Sequence, residues 1–160
     1  MSEPVTFTHD YGGLVRLSAI TGGLGAPIRR AIGEYLAAQM RRNFVVGGRP
    51  EKWKPSIRAM ITGGKTLVKT GILRNSITWD SPDAETINIG TAQWYGYVHQ
   101  FGKDIEAKNK PFLMFRLADG KFIRKRKVHI PRRQFLVWLP EFEDRCGKII
   151  QYIIEQDILG

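Results

Sequence analysis

Hydrophobic positions recur with helical spacing in two long segments of the chain. In 26–44, APIRRAIGEYLAAQMRRNF, residues Ile28, Ile32, Tyr35, Leu36, Gln39/Met40 and Phe44 fall on one side, the mark of an amphipathic helix. Pro27 suits its first turn, and Gly47-Gly48 ends it. The second segment runs from about Pro140 to Ile158. There Phe142, Cys146, Ile149, Ile150, Ile153 and Ile154 form a single stripe. Glu141, Glu143 and Asp144 crowd the first turn, where the helix dipole favours carboxylates.

Between these helices the pattern shortens to alternation. SITW (76–79) and ETINIG (85–90) flank the turn-rich DSPDA and predict a hairpin. A second hairpin is predicted over 110–130, turning at Asp119-Gly120. TAQWYGYVHQFG (91–102) reads as one or two helical turns closed by Gly102. IPRRQFLVWLP (130–140) reads as extended, with Pro131 at an edge or strand start. Near the N-terminus, VTFTH (5–9) is a short strand, and 11–20 fits a short helix or a strand equally. The sum is an α+β domain. An antiparallel sheet carries a long helix from the N-terminal half and a C-terminal helix, with a basic hairpin projecting from it. A single domain is expected over 1–160, with 1–25 as an N-terminal extension and 103–130 as the hairpin arm.

Composition narrows the functional classes. A chain of 160 residues with 42% hydrophobic content is long enough to bury a core without staples. Its one cysteine, Cys146, rules out an internal disulfide and any zinc site with two thiolates. MSEPVTFTHDYGG lacks the features of a signal peptide. No apolar run approaches the roughly 18 residues of a membrane span, so a cytoplasmic protein with no membrane partner is expected. The net charge of +10 implies anionic partners, whether nucleic acid, an acidic protein surface or both. A basic face that only keeps the protein soluble fits the charge equally well.

Catalytic patterns are thin. AMITGGKT (59–66) resembles a phosphate loop, but Ala59 stands where the first glycine belongs. A hydrolase using His99 or Cys146 would need an exposed thiol, and Cys146 lies on the apolar stripe of the last helix. No catalytic, cofactor or metal residues are assigned. The run KFIRKRKVHIPRR (121–133) holds seven cations: Lys121, Arg124, Lys125, Arg126, Lys127, Arg132 and Arg133. Alternate residues of a strand face opposite ways. Both faces here are charged, so the run lies at an edge or projects. It is then either edge protection or a docking arm for an acidic surface or phosphates.

Five motifs stand in a fixed order: F-x(5)-P-x-x-W-x-P at Phe44–Pro55, L-x-x-S-I at Leu73–Ile77, IG-T at Ile89–Thr91, Y-x-x-x-HQFG at Tyr95–Gly102 and IP-x-R-x-FL at Ile130–Leu136. Together they resemble the virion-morphogenesis (tail-completion) proteins of Mu- and P2-type tailed phages, from about residue 26 to the C-terminus. One departure is IPRRQFL, with Arg132 and Gln134 where that family's usual motif has Ala and Pro. The resemblance implies a non-enzymatic structural protein of the virion, at the head-proximal end of the tail, assembled in the bacterial cytoplasm. It implies a self-assembled ring, a hexamer matching sixfold tail tubes. The other partners implied are tail tube or sheath proteins and head–neck connector proteins. The charge leaves open weak DNA contact, and with it the alternative of a basic DNA-binding protein in packaging or capsid assembly. Under this resemblance Tyr95, His99, Gln100 and Gly102 are structural or interface residues. Their polar tips satisfy backbone groups at a turn, and Gly102 takes a conformation other residues resist.

Overall fold

The computed structural model describes residues 6–10, 14–18 and 25–159. The α+β class is borne out. In chain order the elements are β1 (Thr6–Asp10), β2 (Leu14–Ser18), α1 (Ala26–Val46), α2 (Ile57–Thr62), α3 (Ile72–Asn75), β3 (Ile77–Asp80), β4 (Asn88–Thr91), α4 (Trp94–Phe101), β5 (Lys103–Glu106), β6 (Leu113–Arg116), β7 (Phe122–Lys125), β8 (Lys127–Ile130) and α5 (Pro140–Leu159). The ambiguous 11–20 stretch contains a strand, and β1 and β2 pair antiparallel with Thr6 opposite Ser18.

Among the described residues the strands pair two by two, β1-β2, β3-β4, β5-β8 and β6-β7, and do not merge into one sheet. Each strand is only four or five residues long, which limits how many ladder bonds it can offer a further neighbour. The predicted 110–130 hairpin is the inner part of a longer one. β6 pairs β7 with Phe115 opposite Ile123. Outside them β5 pairs β8 with Asp104 opposite His129 and Glu106 opposite Lys127. The Asp119-Gly120 turn forms as its composition requires. Gly120 has φ of 87°, and the Asp119 carboxylate accepts from the Lys121 amide at 3.0 Å.

The chain divides into two compact units, 1–41 with 77–90 and 136–160, and 42–76 with 91–135. In the first, Ile32, Leu36 and Met40 of α1 are buried, as are Ile77, Ile87, Ile89, Leu139, Phe142 and Cys146. Phe142 takes the edges of Tyr35 and Trp138, with ring centroids at 6.1 and 5.8 Å. Gly33 lies against the Trp79 ring so closely that a Cβ would come within 2.3 Å of it, so glycine inside α1 serves packing. The α5 stripe is buried at Phe142 and Cys146 and thins afterwards. Ile149, Ile150 and Ile153 are half-buried, and Ile154 is exposed.

The second unit is centred on Phe44, fully buried between Trp53 at 5.4 Å and Phe135 at 5.3 Å. Gly47 and Gly48, both at positive φ, end α1 and donate to the Asn43 carbonyl. They turn the chain so that Trp53 comes back over Phe44. The buried Asn43 side chain donates to the Phe135 carbonyl at 2.8 Å and accepts from Arg49 at 2.8 Å. Trp53 Nε1 donates to the Gln134 carbonyl at 2.9 Å.

Candidate functional site

The residues singled out in the sequence separate into a turn at 95–102 and a two-part arm. The turn belongs to α4, which is short because Gly102 breaks it at φ 75° and ψ 155°. A Cβ on Gly102 would stand 2.9 Å from the Arg132 amide nitrogen and 3.1 Å from the Ile130 carbonyl oxygen. Glycine is therefore required twice, by backbone angle and by close approach. Gly102→Ala is expected to lower stability by about 1–3 kcal/mol, read as a fall in the urea midpoint. An unchanged midpoint would refute the reading.

Gln100 is buried, and its Oε1 accepts from the Phe135 amide at 3.0 Å. The motif residues meet around it. Ser76 and Thr91 share a hydroxyl hydrogen bond of 2.6 Å, and Gly96 admits Thr91, Leu73 and Phe135 against its Cα.

His99 differs from its expectation. Its ring lies edge-on to Tyr95 at 6.5 Å, but its Nδ1 is buried with no partner among the described residues. The backbone makes the contact instead, as the His99 carbonyl accepts from the Arg133 amide at 2.7 Å. Burial, and then the nearby Arg133 charge, hold the imidazole below its ordinary value of 6.5. The sign follows from linkage. As pH falls below about 6.5 the unfolded chain takes up the proton first. The contribution is complete above that pH and is lost as pH falls towards the folded value. Thermal melts between pH 7.5 and 5 should show His99→Gln losing stability less steeply than the parent. Parallel curves would remove His99 as the cause.

The basic arm is not uniform. Lys127, on β8, is held by Asp104 at 3.0 Å and Glu106 at 3.1 Å. His129 adds a 2.6 Å bond to Asp104. That bond and then Lys127 lower the Asp104 carboxyl, while Asp104 and then Glu106 raise Lys127. Beyond this neutralised base, Arg124 lies over the Phe112 ring at 5.2 Å and Arg116 over Phe122 at 6.0 Å. Lys121 stands 3.8 Å from Asp119. Arg124, Lys125 and Arg126 are exposed and have no carboxylate partner among the described residues. Phe112, Met114 and Phe122 are exposed on the same ribbon, a feature the charge run concealed. Arg132 is exposed. Arg133 is not part of the exposed arm, for it is 6% exposed and its Nε donates to the Lys54 carbonyl at 2.9 Å.

The other chemical features have local explanations. Ala59 lies inside α2, so 59–66 enters its glycines from a helix and not from a strand. Cys146 is buried, which pushes its thiol up to about 12. Among the described residues no cluster of His, Cys, Asp and Glu could hold a metal, and no helix is long and apolar enough to cross a membrane.

The sequence model of the phage virion morphogenesis family matches residues 12–158. The chain belongs to the phage virion morphogenesis family. It is similar to the Mu-like prophage FluMu G protein 2 of Haemophilus influenzae (strain ATCC 51907 / DSM 11121 / KW20 / Rd). They are 37% identical over 118 residues, which cover 74% of this chain and 70% of that protein. No solved structure matches it. Membership gives the chain a role in phage virion assembly and makes it a virion-associated protein of a structural family. Within this member of the family, the matched region includes both the Phe44–Trp53–Phe135 cluster and the arm.

Proposed function

We propose that the protein completes the head-proximal end of the phage tail so that heads can join it. It acts as a ring-forming terminator without catalysis. A hexameric ring would match a sixfold tail tube. The surfaces it meets are tail tube or sheath proteins on one side and head–neck connector proteins on the other. The observation that carries this reading is the arm. Its outer part exposes Arg124, Lys125 and Arg126 beside Phe112, Met114 and Phe122, the pairing of charge with apolar anchors that suits a protein surface. A DNA backbone is a poorer fit, because the exposed Phe112, Met114 and Phe122 beside the cations offer phosphates nothing to bind. Electron microscopy of a lysate lacking the gene tests the reading. Filled heads and separate or overlong tails are expected. Joined particles of normal appearance would count against it.

A further inference from the structure

A cavity of about 290 Å³ opens in the second unit, lined in part by Arg133, His99, Tyr95, Arg58, Lys69 and Leu67. No Asp or Glu lines it among the described residues. Arg133 is the unusual member. Its Nε donates to the Lys54 carbonyl. Its terminal nitrogens have no acceptor among the described residues and are not closed off from solvent, so they are free to meet an anion in the cavity that the side chain lines. Nearby, His99 Nδ1 is buried with no partner among the described residues. Arg58 is fixed at the same cavity by hydrogen bonds to the Lys65 and Val68 carbonyls, so a second guanidinium is already positioned. Three cations and no carboxylate among the lining residues suit an anion that the chain does not itself supply.

We infer that this cavity receives a carboxylate carried by a segment of another protein, either an acidic side chain or a chain terminus. A guanidinium fork matches a carboxylate with two parallel hydrogen bonds. The volume lies at the lower end of the roughly 300–1,000 Å³ of small-ligand sites, enough for one inserted residue. Leu67, Ile72 and Leu73 supply apolar wall for the carbon atoms beside the carboxylate. Duplex phosphates are excluded by depth. They sit on a broad cylinder, and a 6%-exposed Arg133 lies below the surface such a cylinder can touch. The inference holds whether or not the protein completes a tail.

The test is a titration of the full chain followed by the Arg133 Nε–H and His99 ring NMR signals. The probes are acetate, inorganic phosphate, a tripeptide with a free C-terminus, its amidated form, and a doubly capped tripeptide with a central Asp, all against sodium chloride at equal ionic strength. Saturable shifts with carboxylate probes, tighter than with phosphate, are expected. The free-terminus and capped-Asp peptides tell the two carboxylate sources apart. Arg133→Met should weaken binding by at least about 30-fold. Lys69→Gln, at an exposed position, should weaken it severalfold while leaving the fold intact, and it supplies the comparison if Arg133→Met does not fold. Three results would overturn the inference: no saturation beyond sodium chloride, phosphate binding as tightly as any carboxylate, or undiminished binding in the folded variants.

Discussion

Phe44→Ala is expected to lower stability by about 3–5 kcal/mol, a large share of the roughly 5–15 kcal/mol that keeps a domain folded. The size follows from how little the neighbours can move. Phe44 is fully buried between Trp53 and Phe135. Trp53 is tied through its indole N–H to Gln134. The backbone of Phe135 is held by Gln100 at its amide and by Asn43 at its carbonyl. Each tie would have to break before either ring could collapse into the space left by Phe44, so the cavity stays open and the cost stays high. Urea denaturation measures it as a fall in midpoint with an unchanged slope. Val45→Ala, next in sequence but 52% exposed, should change stability by no more than about 0.5 kcal/mol. Equal effects of the two substitutions would show that the aromatic cluster does not anchor this unit.

The same cluster shows what a sequence reveals and what it conceals. Helices α1 and α5 were legible because an amphipathic period repeats many times over about twenty residues. The Asp119-Gly120 turn was legible because two adjacent residues determine it. The β5-β8 ladder was not, since KDIE at 103–106 has a single apolar residue and no alternation to read. A signal was present in the charges, with Asp104 and Glu106 facing His129 and Lys127 across the register. Arg133 was hidden for a different reason. Within IPRRQFL it looks like one more cation of a basic run. Its burial is decided by Lys54 and His99, which are distant in sequence. At His99 the contact is made by the backbone carbonyl, which accepts from the Arg133 amide. That the His99 ring nitrogen has no partner among the described residues depends on the surrounding walls and not on any local pattern. Motif order told which residues gather. It did not tell which of their polar atoms would be left over.

Reversing Arg124, Lys125 and Arg126 together to Glu is expected to abolish head–tail joining while the domain stays folded. These three cations are exposed and have no carboxylate partner among the described residues, so removing them leaves no buried charge behind. The main cost within the domain is one surface contact between Arg124 and Phe112, about 0.5–1 kcal/mol. Lys127 must be left alone, because it joins Asp104 and Glu106 at the base of the arm, and its reversal would set three carboxylates together. Against an acidic partner the effect is much larger. Like charges brought face to face cost several kcal/mol, and each ~1.4 kcal/mol is a factor of ten in affinity. Joined particles should fall by on the order of 100-fold, counted by microscopy and infectivity, with circular dichroism and melting temperature near those of the parent. Joining by the parent should weaken with added salt, because exposed charges are screened over about 10 Å at 0.1 M and about 3 Å at 1 M. Normal joining by the triple variant would leave the exposed Phe112, Met114 and Phe122 as the contact surface. The arm would then dock through its apolar ribbon, and its charge would serve solubility alone.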